Sequence, residues 1–110
     1  MGGGKKTKYR IFLSLEDELC VEFKVRDKMM LSFSLQYNAE IEGEKSPIFR
    51  IDTNHGFAHS HIYRFSNRVK KRSERLFISM NVEEYSNIFN ERYEYMKKNF
   101  NKIKDNYLTS

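Results

Sequence analysis

The sequence predicts an α+β domain: an antiparallel sheet of about five strands with one long C-terminal helix packed on one face. Three observations predict it. Residues 19–26 and 29–41 alternate apolar and polar side chains with a period of two, as half-buried antiparallel strands do. From Val82 to Tyr107 the apolar spacing changes to three and four, the period of an amphipathic helix. The strand-like runs come first and the helical run last, with no internal repeat.

The first strand is expected at 9–15, where Ile11, Leu13 and Leu15 share a face. An acidic turn, Glu16-Asp17-Glu18, follows. In the second strand Leu19, Val21, Phe23 and Val25 oppose Cys20, Glu22, Lys24 and Arg26. Asp27-Lys28 is short enough to close a hairpin. The third strand is long, with Met29, Leu31, Phe33, Leu35, Tyr37, Ala39 and Ile41 on one face. Residues 42–47, which hold the lone proline, read as a loop.

A fourth strand is expected over 48–53 and a fifth over 59–65, with the turn residues Asn54-His55-Gly56 between them. Residues 67–75 read as a basic loop, and Leu76-Phe77-Ile78 as a short apolar anchor. Asn81-Val82-Glu83-Glu84 suits a helix start with Asn81 as cap. The stripe after it (Val82, Tyr85, Phe89, Tyr93, Met96, Phe100, Ile103, Tyr107) makes about seven turns of helix. If the helix outruns the sheet, the end with Phe100, Ile103 and Tyr107 stays exposed and marks a partner surface, a homodimer mate or an antitoxin.

The 110 residues suit one domain at 9–108 behind a flexible lead-in at 1–8. Hydrophobic content of 39% and charged content of 32% fit a soluble globular protein. The lone Cys20 excludes an intrachain disulfide and a multi-cysteine zinc site, and points to a reducing cytoplasm. No apolar run approaches the ~20 residues that span a bilayer, so no membrane role is expected. A net charge of +5 favours polyanionic partners such as nucleic acid.

All 3 histidines fall between 55 and 61, beside a lone Arg-x-Asp, in the run Arg50-Ile51-Asp52-Thr53-Asn54-His55-Gly56-Phe57-Ala58-His59-Ser60-His61. Imidazoles titrate near neutrality and are the commonest metal ligands. Strand periodicity puts His59, His61 and Tyr63 on one face. If strands four and five pair, Arg50 and Asp52 join them.

Three accounts fit these residue types. In the first, His59 and His61 act as acid and base on RNA, Arg50 stabilises transition-state charge and Asp52 orients an imidazole, with no cofactor. In the second, His55, His59, His61 and Asp52 hold a metal such as zinc. In the third, the histidines are plain turn and strand residues.

The cations that follow, Arg64, Arg68, Lys70, Lys71, Arg72 and Arg75, meet one acid, Glu74. Contacts to phosphates would explain them, with Tyr63 stacking on a base. This stretch, 64–75, also supports a non-catalytic module that grips nucleic acid or an acidic protein.

The run from Arg50 to His61 resembles the central motif of the TumE-type toxins of prokaryotic toxin–antitoxin modules, and of related small uncharacterised proteins. There an Arg-x-Asp and a glycine precede a His-x-His, and a capped helix follows. The resemblance covers about residues 29 to 100. It implies a small cytoplasmic toxin that attacks RNA and is held inactive by an antitoxin, with Arg50, Asp52, His59 and His61 as the functional positions. His55 and Gly56 match more weakly. Ile51 stands where an aromatic is usual, and the basic insertion after Tyr63 is a departure. The expectation is therefore a toxin-like, metal-independent endoribonuclease.

Overall fold

A computed structural model of the chain describes residues 4–53, 59–63, 70–75 and 84–109, with side chains over 4–53 and 84–109. It is an α+β fold. Four long antiparallel strands carry the core: β1 (Lys5–Phe12), β2 (Asp17–Arg26), β3 (Met29–Ile41) and β4 (Glu44–Asp52). Two short strands, β5 (His59–Tyr63) and β6 (Lys70–Arg75), extend the sheet in the order β1-β2-β3-β4-β5-β6. One helix, α1 (Tyr85–Leu108), follows.

The expected count of about five strands gives way to four long and two short ones. The addition is β6, which occupies part of the expected basic loop. Lys5 to Lys8 belong to β1 and pair with Val25 to Glu22, so the expected lead-in ends before Lys5.

Chain reversal is local. Asp27 and Lys28 have φ of 53° and 65°, and Glu42 and Gly43 of 55° and 80°. Positive φ at both central residues marks the type I′ turn, whose twist matches that of the flanking strands. The second turn lets β4 begin at Glu44 instead of Ile48. Pro47 is tolerated inside β4 because the register shifts beside it, between Tyr37 and Asn38.

The helix covers one face of the sheet. Leu19, Val21, Leu35, Tyr37 and Ile51 from the sheet and Met96 from α1 are fully buried between the layers. Phe89 meets Phe23 and Phe33 edge-on at 5.4 and 5.6 Å between ring centroids, and stacks on Tyr93. Such ring pairs add to area burial when offset or edge-to-face.

The helix departs from expectation at both ends. Asn81 lies outside the described residues, and the cap position falls on Glu84, which makes no side-chain cap bond. Asn99 leaves helical geometry (φ −119°, ψ 17°), and its Nδ2 donates to the Tyr95 carbonyl at 2.9 Å. An Asn side chain that bonds nearby backbone competes with the helical ladder, so the break needs neither glycine nor proline.

Beyond the break the chain stays on the sheet. Phe100 meets Tyr37 edge-on at 6.3 Å, and Tyr107 is buried. The expected exposed end at Phe100, Ile103 and Tyr107 is therefore absent, and with it the surface that suggested a dimer through this helix.

A charged pin secures this end. Tyr37 Oη donates to Asp17 Oδ1 at 2.6 Å, and Lys104 Nζ lies 3.0 Å from the same carboxyl oxygen. Burial pushes the Asp17 carboxyl up, but bonds from Ser14, Tyr37 and Lys104 outweigh it and hold it below the usual range. Burial beside this carboxylate pushes the Tyr37 phenol up. Among the described residues no helix is long and apolar enough to cross a membrane.

Candidate functional site

Direct cross-strand partners share a face of a sheet. On the face turned away from α1, two rows therefore run across all six strands. One is Arg10–Cys20–Gln36–Arg50–His61–Ser73, and the other is Lys8–Glu22–Ser34–Asp52–His59–Arg75. The pairing of β4 with β5 sets Arg50 opposite His61 and Asp52 opposite His59. The four motif positions singled out from the sequence thus meet as two adjacent cross-strand pairs.

On the described side of this junction the chemistry is ordered. Arg50 Nε donates to Asp52 Oδ2 at 2.6 Å, and Arg50 Nη1 donates to Gln36 Oε1 at 2.8 Å. The Asp52 side chain is 1% exposed and that of Arg50 30%, so the guanidinium roofs the carboxylate and keeps one edge in solvent. Guanidinium carries five N–H donors.

A chain of hydrogen bonds supports Arg50 from behind. Gln36 Nε2 donates to Asn38 Oδ1 at 2.8 Å, and Asn38 Nδ2 to Glu18 Oε2 at 3.0 Å. Glu18 is closed by Lys45 at 3.2 Å and Arg10 at 3.5 Å. Burial raises the Glu18 carboxyl, yet bonds from Asn38 and Lys45 bring it below its ordinary value. Burial, reinforced by the charge of Glu18, pushes the Cys20 thiol up, which argues against a reactive thiolate.

At the far end of β4, the Phe33 amide donates to Thr53 Oγ1 at 3.1 Å, and the Thr53 amide donates to the Phe33 carbonyl at 3.2 Å. Both bonds clamp the strand just after Asp52. A buried polar network with its partners in place fixes a side chain more firmly than a lone pair would.

Gln36, Asn38 and Glu18 were not singled out from the sequence. Gln36 and Asn38 stand in the polar half of the third strand's alternation, but period two alone does not tell a solvated face from a connected one, and Glu18 reads as part of an acidic turn where the structure has the start of β2.

The basic stretch is redistributed. Arg64 and Arg68 lie outside the described residues. Lys70, Lys71, Arg72 and Arg75 belong to β6, an edge strand. Arg75 pairs with His59 and so extends the Asp52 row. Arg72 pairs with Ile62, which belongs to the opposite face, and Tyr63 pairs with Lys70 across a register shift. The expected single cationic loop is instead a strand whose charge divides between two faces.

For the metal alternative, His55 lies outside the described residues, as do the side chains of His59 and His61. Among the described residues no three His, Cys, Asp or Glu side chains group as ligands.

A concavity of about 500 Å³ opens beside this site, and its lining includes Lys6, Glu22, Lys24, Ser32, Ser34 and Arg50 together with Phe23 and Phe33. The chain belongs to DUF7718, a domain of unknown function whose family pattern matches residues 4–110. No curated protein and no solved structure matches it.

Proposed function

We propose that this face carries a ribonuclease site of toxin type, with His59 and His61 as the acid–base pair. The observation that supports the reading is the β4–β5 register, which brings both histidine positions opposite an ordered Arg50–Asp52 pair. In the proposed reaction one imidazole takes the proton of a ribose 2′-hydroxyl, and the 2′-oxygen attacks the neighbouring phosphorus. The bond to the 5′-oxygen breaks, and the second imidazole gives that oxygen its proton. The products are a 2′,3′-cyclic phosphate and a 5′-hydroxyl.

Arg50, held through Nε and Nη1 and part-exposed, would meet the charge that develops on the phosphoryl oxygens. Asp52 orients Arg50 and, from its register position, His59. The toxin assignment and the antitoxin partner rest on the resemblance of the Arg50-to-His61 run to TumE-type toxins.

The test is cleavage of RNA by purified protein, together with growth inhibition on induction. His61→Ala and Arg50→Ala are each expected to slow cleavage by about a hundredfold or more, with the circular dichroism spectrum retained. An acid and a base acting together should give the rate a bell-shaped pH profile. Wild-type rates in both variants would sink the reading. Activity abolished by chelator and restored by zinc would favour the metal account instead. Growth inhibition that survives in both variants but vanishes with Arg72 and Arg75 replaced would identify a non-catalytic binding module.

A further inference from the structure

We propose that the concavity between β1 and β4 is a phosphodiester subsite, which seats a single RNA strand running across the open face toward the Asp52–His59 row. The proposal rests on the ribonuclease reading for its substrate, and it adds residues of β1, β2 and β3 that reading does not use.

The first observation is a set of donors without protein acceptors. Lys24 and Ser32 face one another across β2 and β3, and Ser34 lies in the row of Asp52. All three are half-buried in the concavity. Among the described residues Lys24 has no carboxylate partner, and neither serine hydroxyl has a hydrogen-bond partner. Half-buried donors that meet no protein acceptor are open to a ligand whose oxygens accept, as phosphate oxygens do.

The second observation is charge. Lys6, Lys24 and Arg50 line the concavity, and Glu22 is its one lining carboxylate. Glu22 is itself bound to Lys6 at 2.8 Å, a bond that holds its carboxyl below the ordinary range. Lys8 stands beside Glu22 in the next strand. The surplus is positive and the spare donors are hydroxyl and ammonium, the set that phosphate oxygens take.

The third observation is continuity. From β1 to β5 are four inter-strand steps, roughly 19 Å at ~4.8 Å each. A backbone laid along them passes the concavity, Ser34 and Asp52 before it reaches His59. That span holds more than one nucleotide. A positively charged groove that follows the phosphate backbone is the electrostatic part of sequence-tolerant single-strand binding.

The experiment is fluorescence anisotropy with a short single-stranded oligonucleotide bearing 2′-O-methyl groups, which keeps every phosphate and cannot be cleaved. Lys24→Glu is expected to weaken binding about tenfold and to lower the slope of log affinity against log salt by about 0.7. Ser32→Ala with Ser34→Ala should weaken it about threefold at every salt concentration. Lys98→Glu, a charge reversal on the outer face of α1, serves as control and should change little.

Equal loss in the Lys98 and Lys24 variants overturns the proposal in favour of diffuse attraction. Unchanged affinity in the Lys24 and serine variants overturns it while leaving the ribonuclease reading intact. Tight binding that His61→Ala preserves, in a protein that cleaves no RNA, keeps the subsite and removes the catalytic reading. Competition by poly-glutamate at matched charge, with no preference for the oligonucleotide, assigns the concavity to an acidic protein and overturns the proposal.

Discussion

The two faces of this sheet come from the same alternating strands and are built on opposite principles. Toward α1, Leu19, Val21, Leu35 and Ile51 are sealed under aromatic rings, and the one charged cluster there, Asp17 with Lys104, closes on itself. Away from α1, Glu18, Asn38, Gln36, Arg50 and Asp52 form an open chain of polar contacts that ends at the histidine strand. The first face spends its interactions on holding two layers together. The second aligns one guanidinium and leaves donors over. A lesion on the first should therefore be felt as lost stability, and a lesion on the second chiefly as lost activity.

The largest expected effect breaks the helix side. Leu35→Ala removes a fully buried side chain at the sheet centre and should cost about 3 kcal/mol. Urea unfolding followed by circular dichroism measures it, and residual activity should track the folded fraction. Asp52→Asn keeps the shape of the open face but removes the charge under Arg50. A stability loss of about 2 kcal/mol is expected, the worth of a hydrogen bond to a charged group, with a disproportionate drop in RNA cleavage of at least tenfold. Equal losses in the two assays would erase the contrast between the faces.

Acid should loosen both faces. Asp17 and Glu18 lie below their ordinary values in the folded protein, so the unfolded chain binds more protons. Their contribution is complete above an unfolded carboxylate value of ~4 and is lost as pH falls through the folded values. Asp17→Asn should flatten that slope in urea midpoints taken between neutral pH and the acid limb. The smallest effect concerns neither face. Lys28 holds φ of 65° in the β2–β3 turn, so Lys28→Gly should add about 0.5–1 kcal/mol, read as a higher melting temperature.

How far these faces were legible follows from what each signal encodes. The thirteen residues of β3 were bounded from alternation alone, because a strand buried on one side must alternate. β6 was missed because Lys70–Arg75 has no apolar face to show: an edge strand is held by its backbone pairing to β5. The start of β4 was hidden by Gly43 and Pro47, which signal a loop until the register shift beside Asn38 is known. At the site, Arg50 and Asp52 are legible as a pair that shares a face with His59 and His61 if the strands pair, and only the register sets Arg50 opposite His61 and Asp52 opposite His59. The support from Gln36, Asn38 and Glu18 depends on contacts across strands far apart in sequence, which no local pattern carries.

The outermost strands of the sheet have a consequence of their own. β1 carries Lys5, Lys6, Lys8 and Arg10, and β6 carries Lys70, Lys71, Arg72 and Arg75. Among the described residues neither has a strand on its outer side, and like charge on both rims disfavours the joining of two copies there. That guard is ionic. Raising salt from 0.1 M to 1 M shortens the screening length from ~10 Å to ~3 Å. Light scattering should then show self-association growing while the proposed RNA binding fades, two opposite responses to one variable from a single distribution of lysine and arginine.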